Sequence, residues 1–161
     1  MAKALEVLVG ELLRQHGLWL AVAESCTGGL IGHRLTNVAG SSDYFIGGVI
    51  SYANEAKMKL LGVRQDTLEG HGAVSQETAL EMARGIRVTL RADIGLSVTG
   101  IAGPSGGTPE KPVGTVWIGL SSANEEYARH FLWSGNRLKI KEQSAHTALE
   151  LLRQYLQKEP A

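Results

Sequence analysis

The chain has 161 residues, the length of one ordinary domain, and 43% of them are hydrophobic, enough for one sizeable core. Lys plus Arg and Asp plus Glu number 16 each, so the formal charge is zero, and no basic run offers the grip on backbone phosphates that nucleic-acid binding requires. Cys26 is the only cysteine, which excludes an internal disulfide and fits a reducing, cytoplasmic setting.

The apolar residues near the start, Leu5, Leu8, Val9, Leu12 and Leu13, recur at helical spacing and stop at His16-Gly17. Lys3, Glu6 and Glu11 interrupt that segment, so it does not read as a signal peptide, and no apolar run is long enough to span a bilayer. Residues 18–23 form a nearly continuous apolar run, as expected of a strand covered on both faces. Helix-compatible sequence follows over 28–36, and residues 43–52, rich in Phe, Ile, Val and Tyr, read as a second strand. Asn54 is placed to cap a short helix ending near Gly62.

Ser75 opens a longer helix with Ala79, Met82, Ala83, Ile86 and Leu90 on one face. A third strand is expected over 93–99, and the Gly-, Ser- and Pro-rich segment 100–112 is a loop. Residues 113–120 and 127–133 read as two further strands joined by a polar turn short enough for an antiparallel hairpin. A last helix over 136–157 buries Ala145, Ala148, Leu149, Leu152 and Leu156. The expected fold is a single three-layer α/β/α domain over residues 1–161, with a mixed, mostly parallel sheet of about five strands.

Three strand ends and one helix start carry chemistry. Glu24-Ser25-Cys26-Thr27-Gly28-Gly29 lies between a buried strand and a helix, where open α/β sheets place their ligands. A Ser on such a turn exposes its hydroxyl beside backbone N–H groups able to hold an oxyanion; equally, Ser25 or Thr27 could simply cap the helix. Cys26 is a rival nucleophile if the helix dipole activates its thiol, and an inert core residue otherwise.

Lys57 falls in the first turn of its helix, the end where the dipole disfavours a cation. Dipole and burial together would lower its pKa toward that of a general base for a serine; the alternative is a solvated surface lysine. Thr99-Gly100-Ile101-Ala102-Gly103-Pro104-Ser105-Gly106-Gly107 is a glycine-rich strand end that can approach an anion, yet it matches neither a P-loop nor a dinucleotide fingerprint. Arg137, in Ser134-Gly135-Asn136-Arg137, is a second cation at a helix start. With Lys57 it suggests an anionic small-molecule ligand. The five histidines show no metal-ligand spacing, so no metal or cofactor is expected.

The stretch 23–29, the segment from Tyr52 to Lys57, His71-Gly72-Ala73-Val74-Ser75, Val98 through Gly107 and Lys111-Pro112-Val113-Gly114-Thr115-Val116 together resemble the CinA C-terminal domain, in family order and over nearly the whole chain. That resemblance implies a three-layer α/β/α fold, usually a homodimer or higher homo-oligomer. It also implies metal-independent hydrolysis of nicotinamide mononucleotide to nicotinate mononucleotide and ammonia, in NAD recycling. Carried over by position, Ser25 would be the nucleophile, Lys57 its base and Tyr52 an aid to proton movement. Thr99, Gly100, Gly103 and Arg137 would bind substrate, with Cys26, Thr27, Gly28 and Gly29 supplying the backbone around the oxyanion.

Larger family members add an N-terminal domain resembling molybdopterin-binding proteins, so the stand-alone deamidase is the expected comparison. The family pattern often has an acidic residue where Ser105 and Asn136 stand. The expected partners are the anionic nucleotide and further copies of the chain, with no nucleic acid and no membrane. The alternative is a non-enzymatic binding or interaction module that retains the fold.

Overall fold

The computed structural model describes residues 2–158. Helix α1 (Leu5–His16) buries Val9 and Leu13 and ends at Gly17. Strand β1 (Leu20–Glu24) is buried at every position. Its side chains alternate between two cores: Leu20 and Val22 join a large cluster on one face of the sheet, Ala21 and Ala23 a smaller one on the other. Helix α2 (Leu30–Thr36), a short 3₁₀ turn (Ser41–Asp43) and strand β2 (Phe45–Ile50) follow.

Helices α3 (Asn54–Leu61), α4 (Gln65–His71) and α5 (Gln76–Thr89) precede strand β3 (Ile94–Gly100). The chain then forms β4 (Thr115–Ser121), β5 (Glu126–Leu132) and the long helix α6 (Arg137–Lys158).

The five strands form one sheet in the order β2-β1-β3-β4-β5. β1 runs parallel to both β2 and β3, while β4 and β5 are antiparallel additions. The larger core binds α1, α2 and α6 to one face, and the smaller core binds α5 and the end of α3 to the other. The expected three-layer α/β architecture with a mixed sheet is the one observed.

Small residues set the second interface. A Cβ on Gly95 would lie 2.0 Å from the Ala83 carbonyl oxygen, so α5 rests directly on the sheet backbone. Ser97, two residues further along β3, donates its hydroxyl to the Ala79 carbonyl at 2.6 Å and anchors the same helix.

The residue-level outcome differs from expectation in two places. α4 was not foreseen: its seven residues bury only Thr67 and contain Gly70, so no apolar stripe marks them. The residue before α3 is also not Asn54 but Ala53; Asn54 is the first helical residue, and no side chain caps that helix.

One register detail positions everything that follows. Glu24 pairs with Ile50 on β2 and with Val98 on β3, so β1 and β2 end level with one another while β3 runs on for two residues, to Gly100. Ser25 and Ser51 therefore leave the sheet side by side, next to Thr99, which is still paired with Trp117 of β4.

Candidate active site

Pairing continues one residue past the strands. Ser25 donates its backbone N–H to the Val98 carbonyl at 2.9 Å, and Ser51 donates its own to the Glu24 carbonyl at 2.8 Å. This fixes the serine-bearing turn against both neighbours. The chain then rises into α3, and Lys57, one turn in, points back beneath the strand ends.

Lys57 is only 1% exposed. Its Nζ lies 3.0 Å from Ser25 Oγ, 2.7 Å from the Ser51 carbonyl oxygen and 3.2 Å from the Tyr52 carbonyl oxygen. Among the described residues, no carboxylate is hydrogen-bonded to it. Burial pushes its pKa down from the ordinary 10.5 to about 8. The expectation named the helix dipole first; desolvation is the cause the structure supports, and the surface-lysine alternative is excluded by the burial.

The geometry suits the neutral amine. As an ammonium, Lys57 donates to all three oxygens, Ser25 Oγ included; once neutral, it keeps its two N–H bonds on the carbonyls and turns its lone pair to the Ser25 hydroxyl. Ser25 is 7% exposed and opens onto a cavity of about 290 Å³. Cys26 lies against the same cavity, but burial pushes its thiol up to about 12, so the thiolate that a cysteine nucleophile needs is disfavoured.

Tyr52, Thr99, Gly100, Gly103 and Arg137 complete the cavity wall, with Ala73, Val74, Ile101, Ala102, Ser105 and Gly106 between them. Thr99 is buried, its hydroxyl donated to the Ala73 carbonyl at 2.8 Å. Arg137 opens α6 and bridges the mouth: it donates to the Gly103 carbonyl at 2.6 Å and to the Tyr52 hydroxyl at 3.0 Å. The cation expected at this helix start is thus tethered to neutral groups. Lys57 and Arg137 are the wall's residues of basic type, and no acidic residue lines it.

Thr27, Gly28 and Gly29 do not share this cavity. They line a separate groove of about 370 Å³ with His33, Leu138 and Lys141. The Gly28 N–H is donated to the Ser25 carbonyl and the Gly29 N–H to a Glu24 carboxylate oxygen, so neither amide is available to an oxyanion in the cavity. Neither Ser25 nor Thr27 caps α2. Glu24, quoted above only as part of the motif, does so from the strand: its carboxylate accepts the N–H groups of Ile31 and Gly32, both at 3.0 Å. An acid directly before the turn, six to eight residues ahead of the first helical amides, was the available signal.

Among the described residues, no three His, Cys, Asp or Glu side chains converge on a point, and no helix is long and apolar enough to cross a membrane.

Comparison with known proteins identifies a family. The CinA C-terminal domain profile matches residues 2–156. A CinA-like protein of Salinibacter ruber is 52% identical over 152 residues, and one of Kosmotoga olearia is 51% identical over 154. Each alignment covers 94–96% of this chain but 37% of the relative, so the chain spans little more than a third of the length of these proteins.

Among solved structures, a CinA superfamily protein of Klebsiella pneumoniae superposes with a TM-score of 0.93 at 33% identity, over 96% of this chain and 97% of that one. A competence/damage inducible protein of Agrobacterium tumefaciens does so with a TM-score of 0.89 at 40% identity, over 98% of this chain and 100% of that one. The profile match, the relatives and the superpositions agree, and the chain belongs to the CinA C-terminal domain family.

Proposed function

We propose that the chain hydrolyses the carboxamide of nicotinamide mononucleotide to the carboxylate, releasing ammonia, with Ser25 as nucleophile and Lys57 as its base. The observation that carries this reading is the buried Lys57 amine, held by two carbonyls and aimed at the Ser25 hydroxyl from 3.0 Å. Neutral Lys57 takes the Ser25 proton as Oγ bonds to the carboxamide carbon. The Cys26 N–H, directly after the nucleophile, would face the developing oxyanion.

Lys57 passes the proton to the leaving nitrogen, the C–N bond breaks and ammonia departs. Water, deprotonated by the same amine, then cleaves the Ser25 ester; the carboxylate leaves and the serine hydroxyl is restored. The cationic pyridine ring of the substrate withdraws electrons from the amide and eases attack. Tyr52, its oxygen already accepting from Arg137, keeps its own O–H free to donate toward bound substrate. A phosphate fits Arg137 and the basic wall, which carries no carboxylate to repel it.

A place in NAD recycling, a cytoplasmic setting and a homo-oligomeric state belong to the same reading. The test is ammonia release from purified protein given nicotinamide mononucleotide, nicotinamide and a benzamide control. Release from the mononucleotide, lost in Ser25→Ala, is the expected result. Ligand-induced stabilisation with no ammonia from any amide would instead make the protein a binding module.

A further inference from the structure

The Ser–Lys pair is held together from a single position that takes no part in the chemistry. Glu24 is 2% exposed, and among the described residues its carboxylate is bonded to a hydroxyl and backbone N–H groups rather than to a basic side chain. Its Oε1 accepts the Thr27 hydroxyl at 2.6 Å and the N–H groups of Gly29 and Ile31 at 3.2 and 3.0 Å; its Oε2 accepts the N–H of Gly32 at 3.0 Å. All four contacts are donors, as an ionised carboxylate requires. A charge this deeply buried is costly without compensation, and here the amides at the start of α2 supply it.

The same residue acts through its backbone on the other half of the pair. The Glu24 carbonyl accepts the Ser51 N–H, and the Ser51 carbonyl in turn accepts a proton of Lys57 Nζ. Ser25 is the next residue along. The side chain thus closes the turn on one side of the nucleophile, while the main chain sets the shelf on which the base rests.

Resting on the Ser–Lys reading, we propose that Glu24 is the positioning residue of the site: its carboxylate folds residues 25–32 so that Ser25 Oγ meets the Lys57 lone pair. It touches no substrate, because its oxygens are spent on the turn and the helix. Displacing a nucleophile by about 1 Å can cost on the order of 10²-fold in rate. Glu24→Gln keeps the shape but turns one acceptor into a donor, which then faces a backbone N–H. Thr27→Val keeps the volume and removes one of the four donors.

The experiment reads ammonia release and, independently of any substrate, the rate at which a fluorophosphonate labels Ser25, with circular dichroism to measure the folded fraction. The expected result for Glu24→Gln is a kcat about 30- to 100-fold below wild type with KM within about threefold, a matching loss of labelling rate, and an unmoved midpoint of the pH–rate profile. Thr27→Val should lose about three- to tenfold in the same two readouts. It carries the test if Glu24→Gln does not fold.

Rates within twofold of wild type in both folded variants, a loss wholly accounted for by unfolded protein, a rise confined to KM, or a shifted pH midpoint would each overturn the proposal. Wild-type protein that neither releases ammonia nor accepts the label would overturn the Ser–Lys reading itself.

Discussion

At Lys57, burial and function are the same event. An amine with a pKa near 8 is about one-tenth neutral at pH 7 and about half neutral at pH 8. The rate of ammonia release at limiting substrate is therefore expected to climb about tenfold per pH unit below pH 7 and level off above about 8. A flat profile from pH 6 to 9 would remove Lys57 as the base.

The same shift has a cost in stability. Because the folded-state pKa lies below that of the unfolded chain, protons bind the unfolded state more tightly between those values. Stability contributed through this group is full above about pH 10.5 and falls as pH drops through 8. Lys57→Met removes the cost, which amounts to roughly 3 kcal/mol at most. It should abolish turnover yet raise the melting temperature relative to wild type more at pH 6.5 than at pH 9.5. The raised thiol pKa yields a complementary expectation: Cys26→Ala retains turnover within about tenfold, whereas Ser25→Ala loses at least about 10³-fold, both read by ammonia release.

Elements position these residues through contacts that tolerate little change. α5 lies so close to the sheet that Gly95→Ala would force the helix and strand apart. A stability loss of about 3 kcal/mol is expected, or roughly 6–12 °C in melting temperature for a domain of this size. A smaller loss would mean that α5 can shift freely on the sheet. At α2, Gly29 has a φ of 103°, a conformation that L residues avoid, and a Cβ there would press on the Ile50 side chain at 3.1 Å. The turn after Ser25 is therefore shaped by glycine backbone as well as by the Glu24 carboxylate.

For the molecule as a whole, the cavity between the strand ends, the 100–112 loop and the start of α6 should respond to the entire ligand. The inactive Ser25→Ala variant, saturated about 100-fold above Kd, gains about 2.7 kcal/mol of stability from any ligand that binds only the folded state. Nicotinamide mononucleotide is expected to raise its melting temperature by about 5–10 °C, and Arg137→Ala to remove most of that gain. Equal stabilisation by nicotinamide alone would show that the phosphate makes no contact of consequence.

Much of this molecule was legible one residue at a time. Periodic apolar runs announced the strands and the long helices, because burial on one or two faces imposes periods of 2 and 3.6. α4 escaped because a short, mostly exposed helix needs no such stripe. Ser25, Tyr52, Lys57, Thr99, Gly100, Gly103 and Arg137 were marked by residue type and by their places at element ends, and they line one cavity. Thr27, Gly28 and Gly29 were marked equally clearly but face another groove, since Glu24 draws their turn toward α2.

The amino-acid sequence alone determined every element but α4, the three-layer architecture and the chemical groups within reach, all of which follow from local pattern. The tertiary structure alone decided that Lys57 is dry, that two carbonyls orient it, and that it meets a serine 32 residues away. Solvation and lone-pair direction depend on which strands lie side by side and where they end. Those relations link distant segments, and no local spacing encodes them.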